Sequence, residues 1–163
     1  MDYIKELQEK LYRGELLTKE EIMPLAEQPL EQLCLAADEI RAHFCGNRFD
    51  LCTIINGKCG RCSEDCKYCA QSAHYTTACE ESYPLLSTEK IVAQAKNNAE
   101  RGVLRYSIVT SGRRLSEAEV EQVCESIRAV RQEAGIEVCV SFGLLSEVDF
   151  RKVKEAGASR VHC

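Results

Sequence analysis

The sequence contains no long apolar run. No stretch approaches the roughly 20 apolar residues that a transmembrane helix needs, and the first residues, MDYIKELQEKLYRG, mix acidic and basic side chains without an apolar segment. Neither a membrane span nor a secretory leader is therefore predicted. We expect a protein without membrane association, located in the cytoplasm.

The sequence also lacks an excess of positive charge. It has 21 Lys and Arg against 26 Asp and Glu, a formal net charge of −5. Nucleic-acid binding therefore has no electrostatic support over the chain as a whole. Short basic clusters such as Arg113-Arg114 are predicted to be solvated surface, and no nucleic-acid partner is expected.

Cysteine, by contrast, is abundant. The 163 residues include 11 cysteines, an odd number at uneven spacing. Cytosolic thiols stay reduced, so a disulfide framework is not favoured in that compartment. Metal binding or catalysis accounts better for this composition.

Strand and helix patterns alternate through most of the chain. Residues 1–46 are predicted to be a helical segment, with a capping box formed by Thr18 and Glu21. Residues 47–163 give four strand patterns and three helix patterns. The strands are FDLCTIIN, LRYSIVTSG, IEVCVSFG and SRVHC, and the helices are TEKIVAQAKNNAERG, SEAEVEQVCESIRAVRQEAG and SEVDFRKVKEAG. This alternation predicts an α/β fold with parallel strands.

Two parallel architectures are compatible with that alternation. An open doubly wound sheet is one, but no glycine fingerprint follows the first strand. A (β/α)8 barrel of TIM type is the other, and it typically needs about 250 residues. We therefore predict the first half of a (β/α)8 barrel, preceded by N-terminal helices.

The segment CGRCSEDCKYC, residues 59–69, follows the first strand and holds four cysteines. Structural zinc sites usually separate two close cysteine pairs by a dozen or more residues, whereas the inner gap here is much shorter. Cys62, Cys66 and Cys69 can bind three irons of a four-iron cluster from one tight loop. The fourth iron then keeps an open position, provided that Cys59 does not bind it.

This spacing, with Tyr68 before the last cysteine, resembles the signature of radical S-adenosylmethionine (radical SAM) enzymes. The resemblance extends to the biotin synthase family within that superfamily. RCSEDCKYCAQSAHY resembles its cluster loop, and the likeness continues through LCTIING, YPLLSTEKI, RYSIVTSGR, CVSFGLLSE and KEAGASRVH. It covers the chain from about residue 15 to its end, against the first half of the family.

The resemblance implies a specific chemistry. S-adenosylmethionine chelates the open iron of a 4Fe-4S cluster, and its one-electron cleavage yields a 5′-deoxyadenosyl radical. That radical activates unreactive C–H bonds of dethiobiotin, into which sulfur from an auxiliary iron–sulfur cluster is inserted to form biotin. An electron donor such as flavodoxin or ferredoxin and a homodimeric assembly are also implied.

The resemblance also assigns residues to the first cofactor. Cys62, Cys66 and Cys69 hold the four-iron cluster. Tyr68 contacts the adenine of S-adenosylmethionine, and the segment Thr110, Ser111 and Gly112 binds its amino group. No side chain is assigned a catalytic role of its own.

The auxiliary cluster falls on successive strands. Cys139 matches a ligand position, and Ser107 and the pair His162-Cys163 fall at the corresponding places on neighbouring strands. Ser107 departs from the cysteine that many members have, and a hydroxyl is a poor ligand for iron beside sulfide. Either the auxiliary cluster is a variant of the 2Fe-2S type, or another thiol, Cys163 or Cys52, substitutes.

Three alternatives remain open at this point. The chain could belong to another radical SAM enzyme with a related barrel, such as a maturase, or it could be a non-catalytic module that binds an iron–sulfur cluster or zinc. These 163 residues alone could also be inactive. Exposed strand edges, and an inner face expected to carry Val109, Val140 and Val161, predict that the isolated chain aggregates or pairs as a dimer.

Overall fold

The computed structural model describes residues 2–60, 62–76 and 81–162. The chain divides into two compact units, Met1–Phe49 and Asp50–Cys163. Among the described residues, none of the helices has the length and apolarity that crossing a bilayer would require.

The first unit is helical. It comprises α1 (Tyr3–Tyr12), α2 (Lys19–Ile22), a 3₁₀ helix (Met23–Glu27) and α3 (Leu30–Cys45). The capping box predicted for Thr18 and Glu21 is confirmed, because each side chain bonds the backbone N–H of the other. A salt bridge of 2.7 Å between Lys10 and Glu21 joins α1 to α2.

The second unit alternates strands and helices, as predicted. Its elements are β1 (Cys52–Lys58), α4 (Thr88–Glu100), β2 (Arg105–Thr110), α5 (Glu117–Glu133), β3 (Glu137–Ser141), α6 (Glu147–Glu155) and β4 (Ala158–Val161). The four strands form one parallel sheet in the order β1-β2-β3-β4. Each neighbouring pair is thus joined through a helix, which is the repeating unit of a (β/α) barrel.

One face of this sheet is buried beneath the helices. Ile108, Val138 and Val140 are fully buried there and pack in one core cluster with Ile91 of α4 and Ile127 of α5. Strand residues alternate between faces, so their neighbours Ser107, Cys139 and Ser141 lie on the opposite side. We call that opposite side the inner face, because it corresponds to the interior of a barrel.

The expected composition of the inner face was partly wrong. Val140 faces the helices and is fully buried in the core, and Val161 is its register partner on β4. Of the three predicted valines only Val109 lies on the inner face, as the register partner of Ser141. Register pairs place mostly polar residues there (Cys52, Asn56, Arg105, Ser107, Glu137, Cys139, Ser141 and Arg160), together with Ile54 and Val109. Ile54 is 64% exposed and Val161 is 49% exposed, so apolar exposure on this sheet comes from these side chains and not from Val140.

An ion pair links the carboxyl end of β1 to the start of α5. Lys58, the last residue of β1, lies 2.5 Å from Glu119, and both side chains are largely buried. Glu119 is also the third residue of a capping box with Ser116. Burial opposes ionisation of Glu119, but the hydrogen bonds from Lys58 and Ser116 outweigh it and lower the pKa of this carboxyl.

The carboxyl-edge loops after β2 and β3 meet at Gly143. The Leu144 N–H donates to the Arg113 carbonyl at 2.8 Å. Gly143 adopts φ +68°, and a Cβ at this position would lie 2.2 Å from the Arg113 carbonyl oxygen. A side chain therefore cannot be accommodated without separating the two loops.

We expect Glu119→Gln to lower the free energy of unfolding by about 1 kcal/mol near pH 7. The pKa of Glu119 is lower in the folded state than in the unfolded state. The contribution of this carboxylate to the free energy of unfolding is therefore fully present above the unfolded pKa of about 4.3, and it is lost as the pH falls through the folded pKa. The difference from wild type should thus shrink at a pH of about 3.5 in urea unfolding. Glu117→Gln, in the same helical turn but without Lys58, is the control. A difference that is the same at both pH values would contradict this assignment.

We expect Gly143→Ala to destabilise the fold more than Gly135→Ala. Both glycines have φ +68°, but a Cβ at Gly135 meets no atom within 4 Å. Gly135→Ala, the control, should therefore lower the free energy of unfolding only by the backbone strain, about 1–2 kcal/mol. The added clash should bring Gly143→Ala to about 3 kcal/mol or more. Equal losses in urea unfolding would show that the two loops do not meet as described.

Candidate functional site

β1 leads directly into the cysteine loop, and Cys59, the first residue of the loop, is held by hydrogen bonds to residues 81 and 83. Its backbone pairs with Tyr83, with N–H to carbonyl distances of 3.2 and 2.7 Å. The side chain is buried, and its Sγ donates to the Glu81 carbonyl at 3.2 Å. Cys59 thus differs from the three cysteines that follow it.

The other three thiols lie on the loop itself. Cys62 is half-buried, Cys66 and Cys69 are exposed, and all three are free. The Cys69 N–H donates to the Cys66 carbonyl at 2.9 Å, which places these two in one turn. Across the described ranges, no three His, Cys, Asp or Glu side chains converge on a point suitable for a single metal ion. A cubane cluster does not require three thiolates to converge on one point, because each thiolate binds a different iron.

Side chains outside the cysteine motif hold the residues between Cys62 and Cys66. Arg113, from the loop after β2, lies 3.6 Å from Glu64. The Tyr75 hydroxyl donates to Asp65, and this hydrogen bond raises the pKa of Tyr75. No sequence pattern predicted either contact.

The segment predicted to bind the amino group of S-adenosylmethionine lies beside the base of this loop. Thr110 ends β2, and the Ser111 N–H donates to the Lys58 carbonyl at 2.9 Å. Both side chains are almost fully buried, and Gly112 turns the chain with φ +103°. The structure therefore brings 110–112 and the cysteine loop to the same carboxyl edge. Tyr68 is fully exposed on the loop surface.

Two of the predicted auxiliary-cluster positions, Ser107 and Cys139, lie on the inner face. Ser107 and Cys139 are register partners on β2 and β3, and both are buried. Burial raises the pKa of the Cys139 thiol, and the nearby Cys52 adds to this effect. Cys52 is exposed and lies on the same face, towards the amino edge of the sheet. Cys163 lies outside the described residues.

Ser107 has a partner that the sequence did not reveal. Its Oγ lies 3.0 Å from Nε2 of His162, the residue that follows β4. The contact spans β3, so Ser107 and His162 flank the strand that carries Cys139. The resemblance placed both residues at auxiliary-cluster positions, but it did not predict a contact between their side chains. The hydroxyl at position 107 is therefore engaged by an imidazole in this arrangement.

Comparisons with known proteins agree with this arrangement. Residues 58–163 match the family described as the Radical SAM superfamily. A biotin synthase of Akkermansia muciniphila is 53% identical over 162 residues, covering 99% of this chain and 50% of that protein. A biotin synthase of Brachyspira hyodysenteriae is 53% identical over 159 residues, covering 98% and 47%. The chain thus spans about half the length of the curated relatives it matches.

A solved structure supports the architecture independently. The crystal structure of methylornithine synthase superposes with a TM-score of 0.71 at 25% sequence identity, covering 95% of this chain and 46% of that one. The predicted α/β fold and the resemblance of the cysteine loop are both confirmed. With a family match over most of its second unit and the loop described above, this chain belongs to the radical SAM superfamily.

Proposed function

We propose that the full-length protein is a biotin synthase, which inserts sulfur into dethiobiotin in a reaction that depends on S-adenosylmethionine. The observation that carries the proposal is the thiol arrangement of the cysteine loop. Three free thiols occupy the loop, while Cys59 is buried and bonded to a backbone carbonyl. The identity of about half of all residues to biotin synthases supports the choice of substrate.

A four-iron cluster and S-adenosylmethionine are the cofactors that the family implies. Cys62, Cys66 and Cys69 would hold the cluster, which supplies one electron to S-adenosylmethionine when both are bound. The exposure of Cys66 and Cys69 suits ligation, because their thiols need not leave a packed core. Because Cys59 is buried, the fourth iron would remain free to bind the cofactor.

Four residues would position S-adenosylmethionine. Thr110, Ser111 and Gly112 lie at the carboxyl edge, next to the base of the cysteine loop. Backbone carbonyls of this segment can accept hydrogen bonds from the amino group of the cofactor. Tyr68, on the loop surface, would stack against the adenine.

The auxiliary cluster would lie on the inner face, with Cys139 as a ligand. Cys139 is buried on this face, with Ser107 as its register partner on β2. Ser107 and Cys163 complete the proposed positions, and the cluster is of 2Fe-2S type or a variant. The engagement of Ser107 by His162 favours a variant ligand set.

The remaining parts of the proposal concern the whole protein. Its substrates are dethiobiotin and S-adenosylmethionine, and its electron donor is a small protein such as flavodoxin or ferredoxin. We place it in the cytoplasm, where thiols stay reduced, as a homodimer. The present 163 residues alone are proposed to be inactive.

Anaerobic reconstitution tests the cluster assignment. We expect about four iron and four sulfide in the cysteine loop, in keeping with a cubane. Alanine at Cys62, Cys66 or Cys69 should abolish uptake at this loop, whereas Cys59→Ala should retain it. Loss of the cluster in Cys59→Ala with retention in Cys62→Ala would contradict the assignment. Stoichiometric zinc in place of iron would instead identify a zinc-binding module.

Product analysis tests the substrate. With S-adenosylmethionine, dethiobiotin and a reductant, the full-length protein should form 5′-deoxyadenosine and biotin together. The matched control omits dethiobiotin and should yield no biotin. Formation of 5′-deoxyadenosine without biotin, under sulfur-replete conditions, would reject biotin synthesis and favour a maturase-like enzyme.

A further inference from the structure

The residues between Cys62 and Cys66 are each held by a different side chain from residues 72–75. The Ser72 hydroxyl donates to the Glu64 carbonyl at 2.8 Å. His74 Nε2 lies 3.1 Å from the Ser63 carbonyl. The Tyr75 hydroxyl donates to the Asp65 carboxylate. We call Ser72, His74 and Tyr75 the clasp.

Backbone hydrogen bonds from the segment that carries the clasp hold two of the three cysteines. Ser72 is buried, and its backbone N–H donates to the Cys69 carbonyl at 3.1 Å. On its other side, Cys62 exchanges backbone hydrogen bonds of 2.8 Å with Gln71 and Ala73. Cys62 and Cys69 are thus anchored to this segment by main-chain contacts.

Cys66 has less support than the other two cysteines. It is exposed, and its carbonyl accepts the Cys69 N–H at 2.9 Å. The residue before it, Asp65, is also exposed and is held through its side chain by Tyr75. An exposed stretch without core packing depends on such contacts for its conformation, because ordering each residue costs roughly 1–2 kcal/mol of backbone entropy.

We propose that Tyr75 is a positioning residue for the cluster, acting through Asp65 to fix the backbone that presents the Cys66 thiol. This inference deepens the proposed function and rests on the cysteine loop carrying an iron–sulfur cluster. Tyr75 does not touch the iron. It limits the excursions of the turn, and therefore slows release of the cluster.

Iron release from the anaerobically reconstituted protein, followed in excess chelator by loss of the cluster chromophore, tests the role. We expect Tyr75→Phe to release iron about five-fold faster, the factor that corresponds to a net hydrogen bond of about 1 kcal/mol. Asp65→Ala should release it at a similar rate, and Asp65→Asn, which keeps an acceptor oxygen, should remain close to wild type. The double variant Tyr75→Phe/Asp65→Ala should be no faster than either single variant.

Tyr3→Phe is the matched control. Its hydroxyl donates to the Glu21 carbonyl at 2.8 Å within the first unit, so the rate should not change. Equal rates for wild type and Tyr75→Phe, or additive effects in the double variant, would overturn the inference alone. A wild-type protein that takes up no iron would overturn the proposed function and this inference together.

Discussion

The second unit depends on the burial of one face of its parallel sheet. Ile108, Val138 and Val140 are fully enclosed beneath α4, α5 and α6, and this burial is the main favourable contribution to its stability. Because side chains alternate along a strand, burying these residues fixes Ser107 and Cys139 on the inner face. Because the strands are parallel, their carboxyl ends all meet at one edge. The cysteine loop after β1 and the segment 110–112 after β2 therefore lie at the same edge of the sheet.

Much of this architecture could be predicted from the sequence because its signals are local. Capping residues and glycines mark the ends of the helices. Between successive helices lie runs of β-branched residues that have the length of a strand. The cysteine loop was identified because its chemistry lies in a few consecutive residues, Cys62 to Cys69. Such features require no knowledge of which strands pair or in what register.

The features that escaped prediction are those that depend on register and on distant contacts. Val140 and Val109 were expected on one face, but β2 and β3 pair Val109 with Ser141 and leave Val140 in the core. The contacts of Arg113 with Glu64 and of Tyr75 with Asp65 join residues that no sequence period relates. Only the folded carboxyl edge brings them together.

Ser107 illustrates how the structure changes the interpretation of a substitution. From the sequence it was an unsuitable iron ligand at a ligand position. In the fold it lies beside Cys139 and bonds His162. The inner face therefore presents a thiol, a hydroxyl and an imidazole together, a different donor set from one of thiols alone. A variant auxiliary cluster is consistent with this chemistry.

The central claim is that the cysteine loop leaves one iron open for S-adenosylmethionine. Electron paramagnetic resonance of the reduced protein, with S-adenosylmethionine carrying 15N in its amino group, tests it most directly. We expect a hyperfine coupling between the cluster and the 15N nucleus, and this coupling should be retained in Cys59→Ala. A reduced cluster without such coupling in the wild-type protein would contradict it.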